Sequence, residues 1–195
     1  MPRSATRSRV TDIEEVKRLA MAQVAAGGIH SLSMNAIARE LGVTGPALYR
    51  YVAGRDELVT LLLVDTYTEF ATTLEEAAAG DDEPRDRLRA VGVAYRRWAL
   101  AHPERFDLLF GTPLPDYEAP EQTRELARRG LEVQMRLRAE IDGLDPAGPE
   151  ALALAVRGWA RLHGFVDLER SGHFDEMPVD AEALFADELD SLLAL

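Results

Sequence analysis

Thr44–Leu58 reads TGPALYRYVAGRDEL. A Gly-Pro pair heads a segment whose apolar positions otherwise follow a helical period. The same segment gathers two arginines and two tyrosines in a chain of formal net charge -12. Thr44 suits a helix N-cap, which puts Gly45 and Pro46 at the first two helical positions. Proline is tolerated there, because its missing N–H is one of the donors that the first turn of any helix leaves without a partner. Leu48 and Val52 lie four apart and share one face, while Ala47, Tyr49, Arg50 and Tyr51 are left on the others. Gly54 ends the helix, and Arg55 sits just beyond it.

The segments on the N-terminal side give this helix its setting. Thr11-Asp12-Ile13-Glu14 is a capping box, and Ile13, Val16, Ala20 and Val24 follow at helical spacing until Gly27-Gly28. A second helix starts after Ser33, with Met34, Ile37, Ala38 and Leu41 on one side, and Gly42 stops it about two turns later. Two short helices joined by a turn at Gly42, the second with a polar exposed face, describe a helix-turn-helix. In that motif the second helix enters the major groove. Gly45 removes a side chain where the backbone approaches DNA, and Pro46 and Ala47 belong to the same leading turn. Arg50 can reach a guanine edge or a phosphate, and Tyr49, Tyr51 and Arg55 can bind phosphate oxygens. Ser33 and Thr44 cap helices whose first N–H groups can also hold phosphates.

SMNAIARELGVTGPALYRYV (33–52), followed by RDEL (55–58), resembles the DNA-binding domain of TetR-type transcriptional regulators. The likeness runs over about residues 9–60. Ile-Ala, Leu-Gly-Val-Thr, Leu-Tyr and Asp-Glu-Leu stand at the family's spacing. Arg55 replaces a more usual Lys, and Val52 a more usual Phe. The resemblance implies an all-α fold: a three-helix helix-turn-helix domain in residues 1–56, with a disordered tail at 1–9, and a helical ligand-binding and dimerisation domain in residues 57–195. It also implies a regulator, taken as a repressor, that binds a palindromic double-stranded DNA operator as a homodimer and releases it when a small-molecule effector binds. The residues by themselves leave the direction of that response open.

Beyond residue 60 helical periodicity continues without a convincing alternating strand. Helices are expected at about 56–79, 84–101, 121–142, 149–171 and 180–194. His102-Pro103 breaks the second of these before a short apolar piece, ERFDLLF. GDDEP (80–84) reads as a linker by composition, with a domain boundary nearby, and GTPLPDYEAP (111–120) cannot continue a helix. The 149–171 helix is apolar on two sides, with Leu152, Val156, Trp159, His163 and Val166 on one stripe and Ala155, Gly158, Leu162 and Phe165 on the other. One side suits its own core and the other a partner chain, with Phe185, Leu189 and Leu192 of the last helix completing a four-helix interface. The family likeness implies an effector cavity among the middle helices. Tyr95, Trp98, Phe106, Phe110, Met135, Trp159 and His163 are the lining candidates, although each also suits ordinary core. The Trp159-His163-Gly164 pattern is further similar to one subgroup's effector domain.

Charge distribution supports the placement of the DNA-binding end. Residues 1–60 carry eight basic and six acidic residues, a net of +2, whereas the remainder carries -14. Only the N-terminal end tolerates a polyanion. With no cysteine in the chain, thiol nucleophiles and Cys-ligated zinc are excluded. His30, His102, His163 and His173 form no i, i+3 or i, i+4 pair, and no nucleophile elbow, phosphate loop or dinucleotide fingerprint is present. His173 near Glu169, Asp175 and Glu176 is at most a weak divalent-ion cluster, so no metal or cofactor is expected. A small-molecule hydrolase is the competing class. No apolar run reaches the roughly 18 residues of a membrane span, MPRSATRSRV lacks the apolar segment of a secretory signal, and a cytoplasmic, non-membrane protein is expected.

Overall fold

A computed structural model describes residues 13–112, 114–115 and 117–194. Among them are nine α-helices and no strand. They are α1 (Ile13–Gly27), α2 (Met34–Leu41), α3 (Gly45–Leu48), α4 (Arg55–Ala77), α5 (Pro84–Ala101), α6 (Pro103–Phe110), α7 (Glu121–Asp142), α8 (Pro149–Arg170) and α9 (Ala181–Leu193), with a single 3-10 turn at Ile29–Ser31. The 1–9 tail, and Thr11 and Asp12 of the expected capping box, lie outside the described residues.

Two apolar clusters organise these helices. The first joins Val16, Leu19, Ala20 and Val24 of α1, Ile37 and Ala38 of α2, Leu48 and Val52 around α3, and Leu58, Val59, Leu62 and Leu63 of α4. The second joins Phe70 and Leu74 of α4 to Val91, Tyr95 and Trp98 of α5, Phe106 of α6, Val133 and Leu137 of α7, Leu162 and Val166 of α8, and Phe185, Leu189 and Leu192 of α9. α4 thus belongs to both cores. GDDEP (80–84) turns the chain between α4 and α5, both of which pack in the second cluster. A Gly/Asp-rich composition marks a tight reversal as readily as a linker.

α5 and α6 are divided where Pro103 removes an N–H and takes the first position of the new helix. α6 bridges the clusters: Phe106 is fully buried in the second, while Leu108 and Leu109 also rest on the first. The Pro-rich 111–120 segment extends that bridge, because Leu114 and Tyr117 pack on the first core and the Tyr117 hydroxyl hydrogen-bonds the Thr60 hydroxyl of α4 at 2.8 Å.

α6 closes on Gly111, whose N–H donates to the Asp107 carbonyl at 2.9 Å. A Cβ at Gly111 would stand 2.4 Å from that same carbonyl oxygen. Because the obstacle is backbone, Gly111→Ala should force the end of α6 to shift, destabilising the fold by roughly 1–3 kcal/mol. Thermal denaturation followed by circular dichroism checks this; a midpoint equal to wild type would contradict the tight closure.

Candidate DNA-binding face and ligand cavity

The turn between α2 and α3 is set by Gly42, which adopts the left-handed conformation (φ 68°) and returns its N–H to Arg39. The Ser33 hydroxyl caps α2 by accepting from the Ala36 N–H at 3.3 Å. Its own N–H donates to the Gln23 side chain at 2.8 Å, which fixes α2 against α1. Thr44 stands at the N-cap of α3, but its hydroxyl makes no capping bond; its carbonyl accepts from Ala47 and Leu48 instead. Among the described residues the hydroxyl has no hydrogen-bond partner.

α3 is shorter than its sequence period suggests. After one α-turn the N–H groups of Arg50 and Tyr51 bond three residues back, to Ala47 and Leu48, so the chain tightens rather than continuing. Leu48 and Val52 remain fully buried and anchor the segment. Thr44, Pro46, Tyr49, Arg50 and Tyr51 are exposed together on the opposite side, with Gly45 and Ala47 half-buried among them. No described residue pairs with the Arg50 guanidinium. A Cβ at Gly45 would meet nothing within 4 Å, so the protein itself has no need of a glycine there.

Arg55 is the first residue of α4 and not a free loop residue. Its guanidinium donates to the carbonyls of Ile29 (3.1 Å) and Leu32 (3.4 Å), binding the start of α4 to the 3-10 turn ahead of α2. Glu57 accepts from the Ala53 N–H and closes the same corner. The Arg-Asp-Glu-Leu element thus holds the α3–α4 junction, with Leu58 buried beneath it.

In the second core a cavity of about 320 Å3 opens among α4, α5, α6, α7 and α8. Tyr95, Phe110 and Trp159 line it, as the sequence suggests. Trp98, Phe106, Met135 and His163 are not in its wall. Trp98 instead donates its indole N–H to Glu69 at 3.1 Å, and Glu69 also receives Arg105. The residues missed by sequence reading come from α4 (Tyr67, Phe70, Leu74) and α7 (Gly130, Leu131, Gln134). Both triplets share a helical face, so the periodicity was visible; the arginine-rich surroundings in α7 hid it.

Phe106 and His163 lie behind the cavity wall, stacked with ring centroids 5.3 Å apart. His163 Nδ1 is 2.8 Å from the Tyr95 hydroxyl, which makes it the hydrogen-bonded core histidine. Burial lowers the His163 pKa and raises that of Tyr95, so both groups are held neutral. The Arg170 guanidinium caps the stack from the Phe106 side at 4.8 Å and is itself paired with Asp107.

The two faces of α8 divide differently from the expected stripes. Ala151, Ala155, Gly158, Leu162 and Val166 point into the protein's own core, while Leu152 and Val156 are about 40% exposed, at 41% and 39%. Trp159 and His163 turn toward the aromatic cluster. Phe185, Leu189 and Leu192 of α9 are buried within the chain and are not available to a partner. The i, i+4 series Leu152, Val156, Ala160, Gly164 and Leu168 is the outward face. Near His173, the Glu169 carboxylate is taken by Arg96 at 2.8 and 2.5 Å. Among the described residues no group of three or more His, Cys, Asp or Glu could hold a metal ion, and no helix is long and apolar enough to cross a membrane.

A helix-turn-helix with an exposed Arg/Tyr face, set on a cavity-bearing helical domain, defines the class of helix-turn-helix transcriptional regulators. Residues 18–62 match the family model "Bacterial regulatory proteins, tetR family", and residues 88–192 match "Tetracyclin repressor-like, C-terminal domain". The chain belongs to the TetR family, whose members are regulators and not enzymes, and the hydrolase alternative falls away. The crystal structure of SCO4313 is similar over all of both chains, with a TM-score of 0.82 and 40% identity. The HTH-type transcriptional regulator Rv0681 of Mycobacterium tuberculosis is 34% identical over 167 residues, 86% of this chain and 73% of the relative. Rv1816 from the same organism is 42% identical over 118 residues, 59% of this chain; the match spans half of that relative's length.

The buried His163 gives the fold a pH dependence of defined sign. Its pKa is lower folded than the ordinary value of about 6.5 expected unfolded. Below that value the unfolded chain takes up a proton that the native state withholds, so stability is full above about pH 6.5 and is lost as pH falls toward the folded value. His163→Asn, which retains an acceptor near the Nδ1 position, should narrow the stability difference between pH 7.5 and pH 5 in urea titrations. An unchanged difference would assign the acid sensitivity elsewhere.

Proposed function

We propose that this protein is a ligand-responsive, DNA-binding repressor that acts in the cytoplasm. Residues 1–56 form the DNA-binding domain and residues 57–195 the ligand-binding and dimerisation domain. The carrying observation is the exposed Thr44–Tyr51 face, in which Arg50 has no partner among the described residues while Leu48 and Val52 lock the backbone from behind. Thr44, Tyr49, Tyr51 and Ser33 contact phosphates, Arg50 reads a base edge or phosphate, and Gly45, Pro46 and Ala47 let the backbone approach the groove. Arg55 serves DNA binding mainly by fixing the α3–α4 junction, with its remaining donors free for a phosphate.

A three-helix unit reads few base pairs, so a homodimer is needed to place two recognition helices in successive major grooves, about 34–36 Å apart on a palindromic operator. The outward α8 face, together with exposed Leu184 of α9, supplies the apolar surface for it. The effector is a small molecule in the α4–α8 cavity. α4 contributes Tyr67, Phe70 and Leu74 to that cavity and Leu58 and Leu62 to the DNA-binding core. A ligand that favours a displaced α4 therefore favours a different spacing of the recognition helices and releases the operator. A 10- to 100-fold change needs about 1.4–2.8 kcal/mol of coupling.

Selection of bound sequences from random duplex DNA tests this reading directly: a palindromic consensus is expected, and no enrichment would sink it. On the selected operator, Arg50→Ala should reduce affinity about 10-fold or more and flatten its salt dependence. Gly45→Ala separates the two roles of that residue. It should leave stability unchanged or raise it by about 0.4–1 kcal/mol, yet weaken operator binding; full retention of affinity would remove close backbone approach at Gly45. Val156→Arg on the outward α8 face should convert the dimer to a monomer in sedimentation, without loss of helicity. A wild-type monomer at micromolar concentration would exclude the dimer.

A further inference from the structure

A second, smaller void of about 30 Å3 lies beside the aromatic chamber and shares Leu74, Tyr95, Gln134 and Trp159 with it. It has room for a compact polar group. Arg138 of α7 forms part of its wall and is only 4% exposed. One guanidinium nitrogen, Nη2, donates to the Leu192 carbonyl at the end of α9 at 2.6 Å. Another, Nη1, is buried without a hydrogen-bond partner. Among the described residues no carboxylate contacts this guanidinium. Asp142 acts on it only through space, and the like charge of Arg85 opposes that effect. An arginine stays charged, and a buried charge without an anion is strongly unfavourable until one arrives.

The neighbouring groups complete a binding environment. Gln134, on the same α7 face one turn before Arg138, lines both spaces, and its side-chain amide has no hydrogen bond within the described residues. No described acidic residue lines either space, although the chain holds 34. Clefts elsewhere are different: Glu104 and Asp107 line the one between α1 and α6, Asp65 the one between α1 and α4, and Glu182 the one between α5 and α9. The larger chamber is walled by Phe70, Phe110, Leu131 and Trp159, and at about 320 Å3 it falls within the usual range of small-molecule sites, about 300–1,000 Å3.

We propose that the effector site takes an apolar molecule ending in a single carboxylate, with the carboxylate beside Arg138 and Gln134 and the apolar body in the aromatic chamber. This rests on the cavity being the effector site and adds the ligand's chemical class. Arg128 also borders the chamber, but it is exposed to solvent at the rim, where water screens an ion pair to little net value.

Calorimetric titration of the full chain at pH 8, without DNA, tests the proposal. The probes are 4-phenylbutyrate and decanoate, each compared with its primary amide, which keeps the shape and removes the charge. At least one acid is expected to bind about 10-fold or more tightly than its amide. Arg138→Met and Gln134→Leu should each reduce acid binding while leaving amide binding within about 3-fold, and Arg128→Gln should leave the acid preference intact. Should Arg138→Met fail to fold, the wild-type comparison and Gln134→Leu still decide. Equal binding of acid and amide would mean that ordered water satisfies Arg138, and it would overturn the proposal. Failure of both acids to bind, or loss of the preference in Arg128→Gln, would overturn it too. Operator affinity measured without ligand judges the regulator reading separately, because neither measurement enters the other.

Discussion

Helix α4 runs unbroken from Arg55 to Ala77, and its 23 residues span about 34 Å. Its first two turns are buried among α1, α2 and α3 through Leu58, Val59 and Leu62. Its later turns enter the second core through Phe70 and Leu74. A side chain cannot leave either core without exposing apolar surface worth roughly 1.5–3 kcal/mol for each large residue. The helix therefore transmits displacement as a rod, and the two cores cannot relax independently of it. The α1–α4 ion pair of Lys17 with Asp65 (2.7 Å) braces the rod near its midpoint, and the Tyr117–Thr60 hydrogen bond braces it in its second turn. These contacts are partly solvated and worth little singly; their consequence is to limit how α4 can tilt relative to α1 and α6.

α6 and the segment after it give the second route between the cores. Tyr67 of α4 reaches the Leu109 carbonyl at 3.5 Å, and both residues line the cavity. Leu109 also touches the first core. The chamber wall thus includes residues that also contact the DNA-binding unit, which is the route the proposed ligand response would use.

Most of this architecture was legible from residue periodicity and capping, because nearly every helix begins or ends at a Pro or Gly. Gly42 and Gly143 close α2 and α7 in the left-handed conformation, and Pro84, Pro103 and Pro149 open α5, α6 and α8. The likeness over residues 9–60 supplied the DNA-binding assignment; the residues alone gave only a plausible helix-turn-helix. What escaped was tertiary. Spacing cannot show that Arg55 turns back to the carbonyls of Ile29 and Leu32, since these lie more than twenty residues away. Nor can it decide which of two apolar stripes of α8 meets its own chain. Aromatic content drew the cavity assignment toward Trp98, Phe106 and His163, which fill space behind the wall. The space itself is left where Gly130 lets α7 run close to Phe70 and Leu74 of α4.

The charge pattern acquires its sense from where acids are withheld. Residues 41–55 contain no Asp or Glu, and no described acidic residue lines the two adjoining spaces in the second core. A random scatter of 34 acidic residues over 195 would place two or three in a fifteen-residue stretch. At the surface the omission leaves Arg50 without an acidic partner among the described residues, and on the proposed reading the acidic remainder would disfavour a polyanion elsewhere. In the interior the omission leaves Arg138 without a contacting counter-charge among the described residues, which no apolar packing can supply. An excess of negative charge on the rest of the molecule thus sharpens both places, because each remains a local minimum of acidity in a field that disfavours anions elsewhere.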